Sequence, residues 1–189
     1  MSALMASPTQ GVEELDAAPA LQRKLYRAAK AGPGRRFHAL YDKVHRRDVL
    51  WRAWEQVRAN RGAAGIDRVT ICAVERYGES RLLDELATDL KGQTYRPLPA
   101  RRVWVPKPGQ PDKRPLSIPA VRDRIVQAAL KIVMEPVFEA DFCPASFGFR
   151  PKRTAHDALQ VLLDPSFRAR RWVVEETSPT AFRRSRTTG

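Results

Sequence analysis

The sequence predicts an α+β fold on three observations. Apolar residues recur at helical spacing from Phe37 to Val57 and again from Leu82 to Leu90. Two segments that alternate basic and apolar residues flank the turn-rich stretch KPGQPDK, Lys107 to Lys113. Ala120 to Phe138 then reads as one strong helix, which completes a helical start followed by a basic hairpin packed on helices. A length of 189 residues, 43% of them hydrophobic, suits one ordinary domain. No apolar run reaches the roughly 18 residues of a membrane span, so no membrane partner is expected.

Taken in order, residues 1 to about 20 are net acidic, poor in aromatics and interrupted by Pro8, Gly11 and Pro19. They predict a disordered tail, with a disordered or basic segment continuing to residue 34. Glu13, Glu14 and Asp16 stand where a secretory leader would be basic and then apolar, so the expected location is the cytoplasm. Phe37, Leu40, Tyr41 and Val44, then Val49, Leu50, Trp54 and Val57, predict two short helices with Asp48 as the N-cap between them. The loop NRGAAGID, Asn60 to Asp67, breaks this pattern with two glycines. A third helix is expected from Val74 to Leu90, burying Leu82, Leu83, Leu86 and Leu90 and closing a helical region over residues 35–94.

The proline-bearing connector Tyr95 to Pro99 leads into a strand at Arg101 to Val105, and Arg114 to Ile118 supplies the returning strand. The helix that follows spaces Ile125, Ala128, Ala129, Ile132 and Val133 for burial and is expected to end near Pro136, because proline lacks the N–H that continues a helix. A further helix is expected from Thr154 to about Leu163. Cys72 and Cys143 have neither CxxC spacing nor clustered histidines, so they are read as buried small side chains rather than as a disulfide or a metal site.

Lys and Arg outnumber Asp and Glu by 34 to 21, a formal charge of +13. Folding needs no such surplus, which costs self-repulsion, so it points to a polyanionic partner, with nucleic acid the natural candidate. Arg23, Lys24, Arg27 and Lys30 open a dense basic block that continues through Arg35, Arg36, Lys43, Arg46 and Arg47. The candidate contacts are Arg35, Arg36, Lys43, Arg46 and Arg47, with Arg101, Arg102 and Lys113 of the hairpin. Lys107 and Arg114 sit on the two limbs of the turn, so both can converge on one anion. A guanidinium offers a bidentate fork to phosphate oxygens and a lysine adds a compact charge. That suits a nucleotide triphosphate or a nucleic-acid backbone; on spacing alone the same residues also fit a solvated hairpin edge.

The string VPKPGQPDKRPLSIPAVRDRIVQAAL resembles the fingers motif of group II intron-encoded reverse transcriptase/maturases, with its IPK, RPL, IP and DRIVQ elements in order. PASFGFRPKRTAHDAL is similar to that family's next block, and NRGAAGID to its upstream block. The matches run from about Arg35 to Glu175. This resemblance implies a right-hand polymerase of fingers, palm and thumb, with residues 35–94 as a helical amino-terminal extension and 95–175 as fingers and the start of the palm. It implies an RNA-directed DNA polymerase using Mg²⁺ and deoxynucleotides, with group II intron RNA and an RNA template carrying a DNA primer as partners. The family's triphosphate-binding lysine and arginine carry over to Lys107 and Arg114, and Arg150 falls in a block lining the template and nucleotide region. Gly65 and Asp67 match the upstream block, whereas Arg68 stands where the family usually has glycine. Asp123 of DRIVQ reads as a helix-start or ion-pairing group and Asp67 as a turn or cap residue.

Two divalent ions that clamp attacking and leaving oxygens need carboxylates close together. The family places one aspartate just after a strand like Trp172 to Glu175 and a pair in a YADD-type turn far downstream. Here no aspartate follows Asp164, and residues 176–189 turn abruptly to Ser, Thr, Pro and Arg. If Glu175 and Glu176 are GAG codons, moving back one base opens with GAC, an aspartate codon, followed by a codon for Ile, Val, Leu or Phe. A single deleted base therefore explains the tail. A naturally short protein, or a split reverse transcriptase completed by a companion chain, remains the alternative. The expected chain is an amino-terminal, catalytically inactive fragment that binds RNA and by itself holds no Mg²⁺, with a stand-alone RNA-binding module as the other reading. Helix faces such as Ile125, Ala129, Ile132 and Val133 are expected to be partly uncovered, because the palm they pack on is missing.

Overall fold

A computed structural model describes residues 9–32, 34–106, 109, 111 and 113–163. In chain order the elements are α1 (Thr9–Ala31), α2 (Tyr41–Val44), α3 (Arg47–Ala59), α4 (Ile71–Tyr77), α5 (Glu79–Lys91), β1 (Arg101–Pro106), β2 (Lys113–Ile118), α6 (Val121–Asp141) and α7 (Ala155–Leu163). The fold is α+β, as the sequence predicts. The chain divides into two compact units, Met1–Phe142 and Cys143–Gly189. No helix among the described residues is long and apolar enough to cross a membrane. Trp172 to Glu175 and the 176–189 tail lie outside the described residues.

The core of the first unit forms where α1 and α3 pack on α6. On α3 the buried residues Val49, Leu50, Ala53, Trp54 and Val57 fall on one stripe, and on α6 Val121, Ile125, Val126, Ala129, Ile132 and Val133 do the same. The faces expected to lie uncovered are therefore covered, with α1 and α3 both packed on α6. Composition reads the start of the chain as a disordered tail; the structure places a helix from Thr9, with Ala18, Leu21 and Leu25 buried at helical spacing. Pro19 inside that helix costs about 3 kcal/mol. Burying two leucines returns about 3–6 kcal/mol, which is why the helix runs through the proline.

The same competition decides the end of α6, which passes through Pro136 and stops at Asp141 instead. A proline at 136 cannot donate to the carbonyl of Ile132, four residues back. That carbonyl instead accepts from Gln22 Nε2 of α1 at 3.1 Å. Near the end of α6, Lys30 Nζ donates to the Ala140 carbonyl at 3.3 Å, a cation placed where the helix dipole favours one. Side chains of α1 thus satisfy backbone oxygens of α6 that the helix itself leaves open.

Three further expectations are corrected. Asp48 does not cap α3: Arg46 is the N-cap, and Asp48 sits buried in the first turn, held by Arg46 Nε and Nη2 at 2.9 Å each. The helix expected from Val74 to Leu90 is two, α4 and α5, broken at Gly78, whose φ of 106° is open only to glycine at little cost. Cys72 and Cys143 are both exposed and unbonded to each other. The predicted leucine face does hold: Leu83, Leu86 and Leu90 are buried and Leu82 is half-buried against the core. An apolar ridge of Leu130, Met134 and Phe138, four residues apart on α6, stays exposed.

Candidate nucleic-acid interface

The two strands form one antiparallel hairpin with Val103 opposite Leu116, Trp104 opposite Pro115 and Val105 opposite Arg114. Alternation along each strand puts Arg102, Trp104 and Pro106 on one face with Ser117, Pro115 and Lys113, and Arg101, Val103, Val105, Leu116 and Arg114 on the other. Arg114 is exposed at the turn end of its strand. Lys107, its expected companion, lies outside the described residues.

The hairpin is fixed at its base rather than along its length. The connector from Thr94 to Ala100 is held by Asp123, which is only 2% exposed in the first turn of α6. Its carboxylate accepts the Tyr95 hydroxyl on one oxygen and the Leu98 amide, at 3.1 Å, on the other. Burial, and then the hydrogen bond to Asp123, push the Tyr95 hydroxyl well above its ordinary range, so it stays a donor. Asp123 thus stands at the start of α6, as the helix-start reading has it, and serves there as a hydrogen-bond anchor rather than as an ion-pairing group.

The Asn60–Asp67 loop supplies the second anchor. Arg101 Nε and Nη2 donate to the Ala64 carbonyl at 3.1 and 2.8 Å. Arg124 Nη2 donates to the Ala63 carbonyl. Gly65 lies so close to the start of α6 that an added Cβ would sit 2.6 Å from Ala120 Cα. Asp67 accepts the Val69 amide at 3.1 Å, the turn role expected of it. Arg68, where glycine was the expectation, has φ 59°, a left-handed conformation that glycine adopts without strain.

The basic block gathers at a groove of about 730 Å³ between α1 and residues 35–46. Leu21, Leu25, Phe37 and Leu40 line it, and so do Lys24, Arg35, Arg36, Lys43 and Arg46. The five cations are not equally available. Lys43 pairs with Asp42 at 2.9 Å, and Arg46 with Asp48, whose carboxylate raises the guanidinium's already high pKa. Lys24, Arg35 and Arg36 make no ion pair among the described residues; Arg35 lies over the Phe37 ring, 5.5 Å from its centre.

The predicted contacts are thus divided among several places. Arg35, Arg36, Lys43 and Arg46 share the groove. Arg47 faces Asp84 at 3.8 Å, Arg101 is engaged at Ala64, and Arg102 and Lys113 are exposed on the Trp104 face of the hairpin. Arg150, in the second unit, is 9% exposed and donates from Nη1 to the carbonyls of Cys143 and Ser146 at 2.8 Å each. Sequence reading missed Lys24 as a groove residue and Trp104 altogether; the signal for Trp104 was its alternation with Arg102 along β1. Among the described residues no three His, Cys, Asp or Glu side chains come together in a group that fits a metal ion.

No family model matches the chain. It is 40% identical over 164 residues to protein YkfC of Escherichia coli K12, an alignment covering 82% of this chain and 42% of that protein. It is 32% identical over 139 residues to the group II intron-encoded protein LtrA of Lactococcus lactis subsp. cremoris, covering 74% of this chain and 23% of LtrA. Nuclear intron maturase 2 of Arabidopsis thaliana matches at 51% over 41 residues, 22% of this chain and 6% of that protein. The alignments thus span less than half the length of these relatives.

Proposed function

Because the chain belongs with the group II intron-encoded, maturase and reverse transcriptase-like proteins, we propose that it is the fingers side of an RNA-directed DNA polymerase, binding group II intron RNA and a template-primer. The observation that carries this reading is the groove beside α1, where Lys24, Arg35 and Arg36 have no acidic partner among the described residues and share the lining with Leu21, Leu25, Phe37 and Leu40. Cations with no acidic partner beside an apolar lining are what an RNA strand needs, phosphate against charge and the bases against the apolar wall. The β1–β2 hairpin, with the helices it joins, is the fingers element in this reading. Arg114, with Lys107, meets the incoming triphosphate, and Arg150 shapes the Cys143–Arg153 loop.

Polymerisation by this chain alone is not part of the proposal. Mg²⁺, when bound in an intact polymerase, neutralises the charge that develops as phosphoryl transfer proceeds. The described residues do not fit that ion, and no aspartate follows Asp164 in the sequence. A companion chain or a longer form of the protein supplies the carboxylates in this reading.

Binding of a group II intron transcript, followed across added salt, tests the reading. Three phosphate contacts predict an affinity loss of about 20- to 40-fold between about 50 and 200 mM salt. Arg35→Glu with Arg36→Glu is expected to remove most of that dependence. Affinity indifferent to salt, or equal for both proteins, sinks the proposal. Primer extension by the purified chain above background would overturn the non-catalytic half of it.

A further inference from the structure

All the residues on the Trp104 face of the hairpin are exposed, and Trp104 itself is 57% exposed. A tryptophan spread on an open strand leaves a large apolar surface in water, a cost that the fold does not recover anywhere nearby. Its surroundings indicate what recovers it. Arg102, two residues back along β1, lies about 7 Å away on one side. Lys113, opposite Pro106, lies on the diagonal at about 7–8 Å on the other. Among the described residues neither makes an ion pair, and none of those on this face is acidic. Pro106, Pro115 and Ser117 make up the rest of the face.

A protein partner would have to bury this tryptophan between two unpaired cations and bring carboxylates for both. A single RNA strand brings a π-face and a phosphate on either side of it in one unit, which fits the arrangement without further parts. We propose that Trp104, flanked by Arg102 and Lys113, is a stacking platform for an unpaired nucleotide of single-stranded RNA. It is separate from the groove beside α1 and lies on the opposite face of the hairpin from Arg114. The hairpin is then two-sided: one face holds a base of the strand, and the other presents Arg114. The inference rests on the RNA-binding reading above and adds to it a place and a mode of contact that charge alone does not specify.

A short uridine homopolymer, too short and uniform to fold, is the probe, and its affinity for the full chain is measured by fluorescence anisotropy. Trp104→Ala is expected to weaken binding by about 10-fold or more while leaving the salt dependence unchanged, because a stacked ring releases no counterions. Trp104→Phe keeps most of the affinity. Arg102→Ala does the reverse, lowering the salt slope. Irradiation of an oligomer carrying 5-iodouridine is expected to join it to the peptide that contains Trp104. Equal binding by Trp104→Ala and the unchanged protein, or crosslinks confined to other peptides, overturns the platform while leaving the groove intact, and makes the face a protein contact instead. Absence of any salt-sensitive RNA binding by the unchanged protein overturns both readings together.

Discussion

The helical bundle and the hairpin each hold a tryptophan, and the two have opposite fates. Trp54 of α3 is 1% exposed among Leu50, Val57 and the α6 stripe; Trp104 of β1 is 57% exposed on an open face. The bundle fixes its side chains by packing, so residue identity there is set by volume and burial. Among the described residues the hydrogen bonds that hold the hairpin to the rest of the fold are at its base, through Asp123 and the Asn60–Asp67 loop, so folding makes little demand on the exposed side chains of the Trp104 face. A large aromatic kept where folding does not need it is available for contact with something else.

Alanine at each position breaks or sharpens that contrast, and this is the largest effect expected. Trp54→Ala leaves a cavity in the bundle and costs about 3–5 kcal/mol. Trp104→Ala is expected to change stability by no more than about 0.5 kcal/mol. Urea midpoints followed by far-ultraviolet circular dichroism measure both. A comparable loss at the two positions would mean that the hairpin is packed into the fold after all.

The contrast also explains which features were legible beforehand. Val49, Leu50, Trp54 and Val57 announce α3 because burial and period coincide, and Val103 and Val105 alternate with basic residues as an exposed strand requires. Pro19 and Pro136 misled because a proline's local cost was outweighed by partners far away in sequence: buried leucines in one case, Gln22 at the orphaned Ile132 carbonyl in the other. Asp123 stands at a helix start as expected, but its partners were not legible, since Tyr95 and Leu98 are 28 and 25 residues away and no local pattern marks them. Of the candidate contacts, position along the chain revealed the basic block. It could not reveal that Arg101 is engaged at a carbonyl while Arg35 and Arg36 are not, because that depends on which loop folds against which helix.

Gly65 sits at the joint between the two regions. A methyl group there would lie 2.6 Å from Ala120 Cα, and the next nearest atoms, Ala120 N and the Pro119 carbonyl carbon, are backbone too, which leaves nothing flexible to give way. Gly65→Ala is therefore expected to cost about 1–3 kcal/mol, the usual range for overpacking. Displacing the loop also takes the Ala64 carbonyl away from Arg101. Limited trypsin digestion should then cut faster after Arg102 and Lys113 in the variant than in the unchanged protein. Loss of stability with no change at these bonds would show that the loop supports the bundle alone and does not steady the hairpin.

Tyr95→Phe tests the other anchor more gently. It leaves the buried Asp123 carboxylate with the Leu98 amide as its remaining partner and is expected to cost about 1–2 kcal/mol at neutral pH. The sign of its pH dependence follows from the direction of the shift. Burial and the Asp123 hydrogen bond raise the folded-state pKa of Tyr95 above its ordinary value of 10.0, so the folded protein holds that proton more tightly than the unfolded chain. The resulting stabilisation is complete below about pH 10 and is lost as pH rises beyond it towards the folded-state pKa. Lysines that titrate nearby do so in both proteins and cancel in the difference. Denaturation midpoints from pH 7 to pH 11 should therefore show a constant gap between the unchanged protein and Tyr95→Phe up to about pH 10, narrowing above it. A gap that held steady or widened would mean that the hydroxyl does not keep its proton for Asp123, and that the connector is held at Leu98 alone.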